Sequence, residues 1–161
     1  MGIGKSILGL AGWLMATFAA AWIGSRYRPG VWYALLAKPS WNPPNSVFGP
    51  VWTVLYVLMA VAAWLVWRKA GFSGAGPALI VFVIQLVLNV LWSYLFFGLH
   101  RPDAAFVDIV ALWMAILVVM ILFWRVDWVA GGLMAPYAVW VAFASYLNFM
   151  LWRLNRGLLP G

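Results

Sequence analysis

SILGLAGWLMATFAAAWIGS (Ser6–Ser25) is a run of 20 residues without a charge. Coiled as an α-helix at ~1.5 Å per residue, it is roughly 30 Å long, the thickness of a bilayer's hydrocarbon core. A secretory leader has a shorter apolar centre and ends in a small-residue cleavage site. Here the run gives way to Tyr27-Arg28-Pro29-Gly30. The segment therefore reads as a retained membrane helix.

Four comparable runs follow. Pro39 to Trp67 carries no charge, but its prolines confine the helical part to about 47–67, closed by Arg68-Lys69. AGFSGAGP (Ala70–Pro77) reads as a glycine-rich turn. The third run is Ala78–Leu99, ended by His100-Arg101-Pro102-Asp103, and the fourth is Ala104–Trp124. The fifth, Trp128–Trp152, is closed by Arg153 and Arg156. The runs are too long for membrane strands and do not alternate. The expected fold class is an all-α membrane protein, a bundle of five transmembrane helices in one domain over residues 1–161, with a long loop at 26–46.

Composition agrees. Of 161 residues, 67% are hydrophobic and 8% charged, against about 25% charged in a soluble domain, so polar surface is too scarce to coat a water-soluble globule. The net charge of +7 does not indicate nucleic acid. The bases stand in ones and twos between apolar runs, where they flank the membrane, set topology and meet anionic head groups. Calling the N-terminal side A, five crossings put Lys5, Arg68, Lys69 and Arg125 on side A. Arg26, Arg28, Lys38, Arg101, Arg153 and Arg156 fall on side B, which favours side B as cytoplasmic. With no Cys, disulfides, thiolate metal sites, covalent haem attachment and thiol catalysis are excluded. One His and three Asp leave almost no material for hydrolytic or metal catalysis, and no metal site is expected.

What the chain has in quantity is aromatic surface. Trp22, Trp64, Trp67, Trp124, Trp128 and Trp152 sit near span ends, as an interfacial belt requires. Trp13, Trp52, Trp92, Trp113 and Trp140 lie inside spans, where a belt does not account for them. Polar groups within spans are costly and turn toward the bundle interior. Gln85, Asn89 and Ser93 share one helical face. The fifth span adds Pro136, Tyr137, Ser145, Tyr146 and Asn148. Asp108, the one acid within a span, suits the positive end of its helix or a tie between helices. Counted by helical rise, Trp52, Asn89, Trp92, Asp108 and Asn148 fall in the side-B half, with Trp140 deeper. A cavity open toward side B accommodates them together. Above it stands KPSWNPPNSVFGPVW (Lys38–Trp52), in which Pro43 and Pro44 stiffen an extended segment. With Trp32, Tyr33 and Trp41 it is suited to hold aromatic faces over the cavity as a lid, or to serve as a rigid surface loop with interface anchors. Gly12, Ala16, Ala20 and Gly24 give the first span a narrow face for close helix packing, in the bundle or against a second copy.

Four blocks, WYALLAKPSWNPP (Trp32–Pro44), PVWTVLY (Pro50–Tyr56), LNVLWSYLFFG (Leu88–Gly98) and PYAVWVAFASYLNFMLWR (Pro136–Arg153), occur in order. They resemble the tryptophan-rich sensory protein family, whose mitochondrial members are called translocator protein or peripheral benzodiazepine receptor. The resemblance implies a five-helix bundle, often a homodimer, with a pocket toward the long first loop. It implies tetrapyrrole ligands such as protoporphyrin IX and haem, sterols, and drugs of the benzodiazepine and isoquinoline carboxamide types, with no cofactor required. Carried over by position, Trp32, Tyr33, Trp41, Trp52, Asn89, Trp92, Phe96, Trp140 and Ala144 would line the pocket. Trp140 would be the residue tied to light-dependent porphyrin breakdown. Porphyrin-linked regulation or stress response is the implied role, with porphyrin or sterol transport as an alternative. Five spans give no even inverted repeat of the transporter kind. The chain departs from the family at its sterol motif. Phe149 and Met150 stand where a tyrosine is needed, and six residues separate Tyr146 from Arg153, one beyond the permitted gap. Where mammalian members carry a tryptophan early in the fourth helix, this chain has Ala104.

Overall fold

A computed structural model describes residues 2–158. Helix α1 (Ile3–Gly24) leads through a connection that contains a short helix, α2 (Val31–Leu35), to the long α3 (Asn45–Ser93). A π turn (Tyr94–Gly98) follows, then α4 (Pro102–Val126), α5 (Trp128–Leu154) and a closing 3-10 turn at Arg156–Leu158. No strand occurs among the described residues.

The 49 residues of α3 would reach roughly 74 Å if straight, more than twice the hydrocarbon thickness. They fold back instead. Gly71 has φ 65° and ψ −174°, a conformation open essentially to glycine alone. Beyond it the chain returns alongside itself. Tyr56 donates to Asn89 Oδ1 at 2.6 Å, and Gln85 Nε2 approaches Met59 Sδ at 3.6 Å. Both pairs are centred within one residue of Phe72, as an antiparallel hairpin demands. α1, the two halves of α3, α4 and α5 thus make five spanning segments, and the protein is an integral, multi-pass membrane protein.

Several boundaries differ from those read in the sequence. The reversal takes one residue rather than the stretch Ala70–Pro77, because a single positive φ suffices, and Phe72–Pro77 is already helical. The second span opens at Asn45, with Pro44 as its N-cap residue. Proline has no N–H to leave unpaired at a helix start, so Pro43 and Pro44 lead the chain into the helix. Within the long loop, residues 31–35 form α2.

The core is apolar and close-packed. Met59, Ala62, Ala63 and Val66 from α3 meet Ile116, Val119 and Phe123 from α4 and Met134, Tyr137 and Val141 from α5. Phe82 stacks on Phe123 at 5.7 Å and meets Trp13 edge-to-face at 5.7 Å. Lipid-facing positions such as Leu8, Val107, Ile121 and Val139 are exposed and equally apolar. Tryptophans, interior and near span ends alike, also bond helices together. Trp113 Nε1 donates to the Ala138 carbonyl at 3.0 Å, and Trp64 Nε1 to that of Ser6 at 2.9 Å. The small residues of α1 do not form one face. Ala20 and Gly24 turn inward, Gly24 toward Ser93, while Gly12 is open and Ala16 exposed. A four-residue step advances about 40° beyond a full turn, so such a stripe winds off the interface.

The turn between α4 and α5 is one residue long. Asp127 caps α5, accepting from Val129 N at 2.9 Å and Ala130 N at 3.3 Å, and pairs with Lys69 at 3.4 Å. Partial burial would raise its carboxyl, but these amides and the Lys69 ammonium hold it below the ordinary carboxylate range.

Candidate ligand-binding cavity

The side-B ends of four spanning segments enclose a cavity of about 290 Å³, near the small end of ligand sites. α1 supplies Ala21, Gly24 and Ser25 at its end, and the following loop supplies Tyr27, Arg28 and Pro29. The first half of α3 contributes Phe48, Trp52 and Tyr56; the second half contributes Asn89, Trp92 and Ser93. Phe96 and Phe97 come from the π turn, and Trp140, Ala144, Leu147, Asn148 and Leu151 from α5. Tyr33 reaches in from α2. α4 adds nothing to the wall.

The local sequence explains these directions. Phe48, Trp52 and Tyr56 recur every four residues and share a face of α3. The π turn, closed by Leu99 N to the Tyr94 carbonyl at 2.8 Å, widens the helix by one residue. It turns Phe96 and Phe97 toward Trp92, with centroids at 5.3 and 5.7 Å. Below the aromatic wall runs a buried polar chain. Tyr56 donates to Asn89, Asn89 Nδ2 donates to Tyr137 Oη at 2.9 Å, and Tyr137 donates to Gln85 Oε1 at 2.9 Å. Trp92 Nε1 donates to Asn148 Oδ1 at 2.9 Å, and Asn148 Nδ2 to the Pro102 carbonyl at 2.8 Å. These bonds join α3 to α5 and α5 to the start of α4.

Of the nine positions read as pocket lining, Tyr33, Trp52, Asn89, Trp92, Phe96, Trp140 and Ala144 stand in the wall. Trp32 and Trp41 do not. Trp32 stacks on His100 at 4.4 Å and 14°, so His100 is packed against the loop. Trp41 stacks on Tyr146 at 5.4 Å and 7°. One residue along a short helix turns a side chain about 100°, so with Tyr33 inward Trp32 must point elsewhere. These two tryptophans hold the loop down from outside. Asp108 is buried on α4 away from the wall, and its Oδ2 has no partner, so it makes no hydrogen-bonded tie between helices through that oxygen. Pro136 lies inside α5, outside the wall. Among the described residues no cluster of metal-binding side chains occurs.

Sequence reading missed Tyr27, Phe48, Tyr56 and Phe97 as wall residues. Phe48 and Tyr56 carried a signal, their four-residue spacing from Trp52. It also missed Asn155, for which there was none, because it lies past the last span. The buried amide of Asn155 grips the loop: Oδ1 accepts from Ala37 N at 2.8 Å, and Nδ2 donates to the Ala37 carbonyl at 2.9 Å and to Leu151 O at 2.8 Å. Burial meanwhile pushes the Tyr33 phenol above its ordinary range, against the opposing hydrogen bond to Asn42. Replacing Asn155 with Leu removes two loop contacts and leaves both backbone groups of Ala37 unpaired. Amide hydrogen exchange across residues 31–42 is expected to quicken by about tenfold, with exchange in the core of α4 unchanged. An unaltered loop would show that Asn155 does not hold it.

The sequence model of the TspO/MBR family matches residues 7–153. The tryptophan-rich protein TspO of Chlorobaculum tepidum is 44% identical over 158 residues, covering 94% of this chain and 98% of its own. Protein CrtK of Rhodobacter capsulatus is 40% identical over 152 residues, covering 92% and 93%. The human translocator protein is 37% identical over 151 residues, covering 91% and 89%. With its hairpin of spanning helices, its aromatic cavity and these matches along nearly its whole length, the chain belongs to the TspO/MBR family.

Proposed function

We propose that this protein is a membrane receptor for a flat apolar guest of the tetrapyrrole class, protoporphyrin IX or haem, and that the occupied state is what is sensed. The observation that carries this reading is the cavity itself. Ring faces and edges from α3 and α5 converge on one space, with Tyr33 above it and the Tyr56–Asn89 pair at its floor. Offset and edge contacts with a planar π-system each contribute about 0.5–1.5 kcal/mol beyond burial. The words "sensory" and "translocator" in relatives' names are compatible with such a guest. No cofactor is needed for binding.

Titration of the detergent-solubilised protein with protoporphyrin IX tests the proposal through tryptophan fluorescence. Saturable quenching is expected, with affinity lowered roughly 3- to 10-fold in Trp52→Phe and in Trp140→Phe. Trp113→Phe, whose ring packs between α4 and α5, serves as the unaffected control. Quenching that never saturates, or that is indifferent to both cavity variants, overturns the reading.

The position of Trp140 favours a second reading. Its oxidisable indole stands in the wall, 6.0 Å from Phe48 and 5.5 Å from Phe143 between centroids, where light-driven breakdown of a bound porphyrin would place it. Porphyrin absorbance that fades under illumination no faster with protein than in empty micelles removes that reading.

A further inference from the structure

The cavity wall is largely apolar; several of its polar groups are already engaged, Trp140 Nε1 is buried without a partner, and one side chain is charged. Asn89 and Asn148 are spent on their networks, Tyr33 donates to Asn42 and Ser25 Oγ to the Trp22 carbonyl. Arg28 is the one charged side chain among the described wall residues. Its Nε donates to the Ser25 carbonyl at 2.8 Å, which fixes the guanidinium at the mouth and leaves the Nη1–Nη2 edge without a described partner.

No acid answers that charge. Asp103 is paired with Arg101 at 2.7 Å and Asp127 with Lys69 at 3.4 Å, while Asp108 is buried on α4, outside the wall. Nor are the neighbouring bases equivalent. Arg26 lies over Trp22 at 4.1 Å. Lys38 donates to two loop carbonyls and lies over Tyr33 at 4.7 Å. Arg153 and Arg156 lie over Phe149 and Trp152. None of these four lines the cavity.

We infer that the cavity takes an amphiphile, a planar apolar body inside with a carboxylate at the mouth, and that Arg28 receives the carboxylate through Nη1 and Nη2. Such end-on pairing is bidentate and gains strength beside low-dielectric walls. Arg28 then sets specificity, separating acids from neutral molecules of the same shape. The inference rests on the tetrapyrrole reading for the planar body.

The test uses the full chain in phosphatidylcholine nanodiscs and two probes, protoporphyrin IX and its dimethyl ester, which differ only in whether the carboxylates are free. The free acid is expected to bind roughly 10- to 100-fold more tightly than the ester. Arg28→Gln should bring the acid down to the ester's affinity while leaving the ester unchanged, which also shows that the variant is folded. Arg28→Lys should fall between, because an ammonium keeps the charge without the planar fork. Equal affinity for acid and ester in the unaltered protein, or parallel weakening of both in Arg28→Gln, overturns the role of Arg28 and leaves the tetrapyrrole reading standing. Saturable binding of neither compound removes both.

Discussion

Gly131→Ala is expected to destabilise the folded bundle by about 2–3 kcal/mol and to lower its melting midpoint in detergent by roughly 5 °C or more. A Cβ at Gly131 would lie 2.7 Å from Cα and Cβ of Trp124 and 2.8 Å from its backbone N. Carbon atoms prefer about 3.5–4.0 Å. The obstacle is backbone at the end of α4, so no rotamer change relieves it. α4 and α5 would have to part at a one-residue turn, where Asp127 caps α5 and pairs with Lys69. Gly132 is the matched control. A Cβ there meets nothing within 4 Å, and alanine is favoured over glycine in a helix by up to about 1 kcal/mol. The two neighbouring substitutions should shift the melting midpoint in opposite directions. Equal shifts would mean that helix propensity, not the contact with Trp124, governs this corner.

That corner shows where sequence reading reached and where it stopped. The five crossings were legible because lipid admits only long uncharged helices, and charges or turns mark their ends. Arg125 between two apolar runs already announced a break. The tightness of the break was not announced, since it depends on which of two adjacent glycines faces Trp124. The same holds at Gly71. A glycine-rich octapeptide predicts a turn, but that one residue makes it follows from the φ of that residue in the finished hairpin. At the cavity, the face Gln85–Asn89–Ser93 was readable from its spacing, and so was the side of the membrane on which the polar groups gather. The placement of Trp32 and Trp41 outside the cavity was not, because in a loop no periodicity says which way a ring turns. It took α2 and the stacking partners His100 and Tyr146, distant in sequence, to decide it. Asn155 was invisible for a related reason: its bonds reach 118 residues back to Ala37.

Asn89→Leu is expected to cost about 2 kcal/mol of stability and to weaken binding of the proposed guest, because Asn89 is the central link of the polar chain under the cavity. Leucine keeps the branched heavy-atom skeleton and removes both hydrogen bonds. It leaves the Tyr56 hydroxyl without its acceptor and Tyr137 Oη without its donor, on residues that are 8% and 0% exposed. Unpaired buried groups of this kind cost about 1–3 kcal/mol in water-soluble cores. Interhelical hydrogen bonds in membranes average nearer 0.6 kcal/mol, because the unfolded chain in lipid also finds partners. Two broken bonds come to about 1.2 kcal/mol at the membrane value and about 2 kcal/mol at the low end of the soluble one, and with Tyr137 sealed from the cavity the sum lies near the latter. A double-mutant cycle separates the chain from simple packing. If Tyr56 and Asn89 act through their hydrogen bond, Tyr56→Phe should cost less in the Asn89→Leu background than in the unaltered protein, since its partner is already gone. Strict additivity of the two losses would show that the 2.6 Å contact carries no coupling. The same cycle read through protoporphyrin affinity then tells whether the floor of the cavity acts on the guest as a shaped surface or as a set of aligned donors.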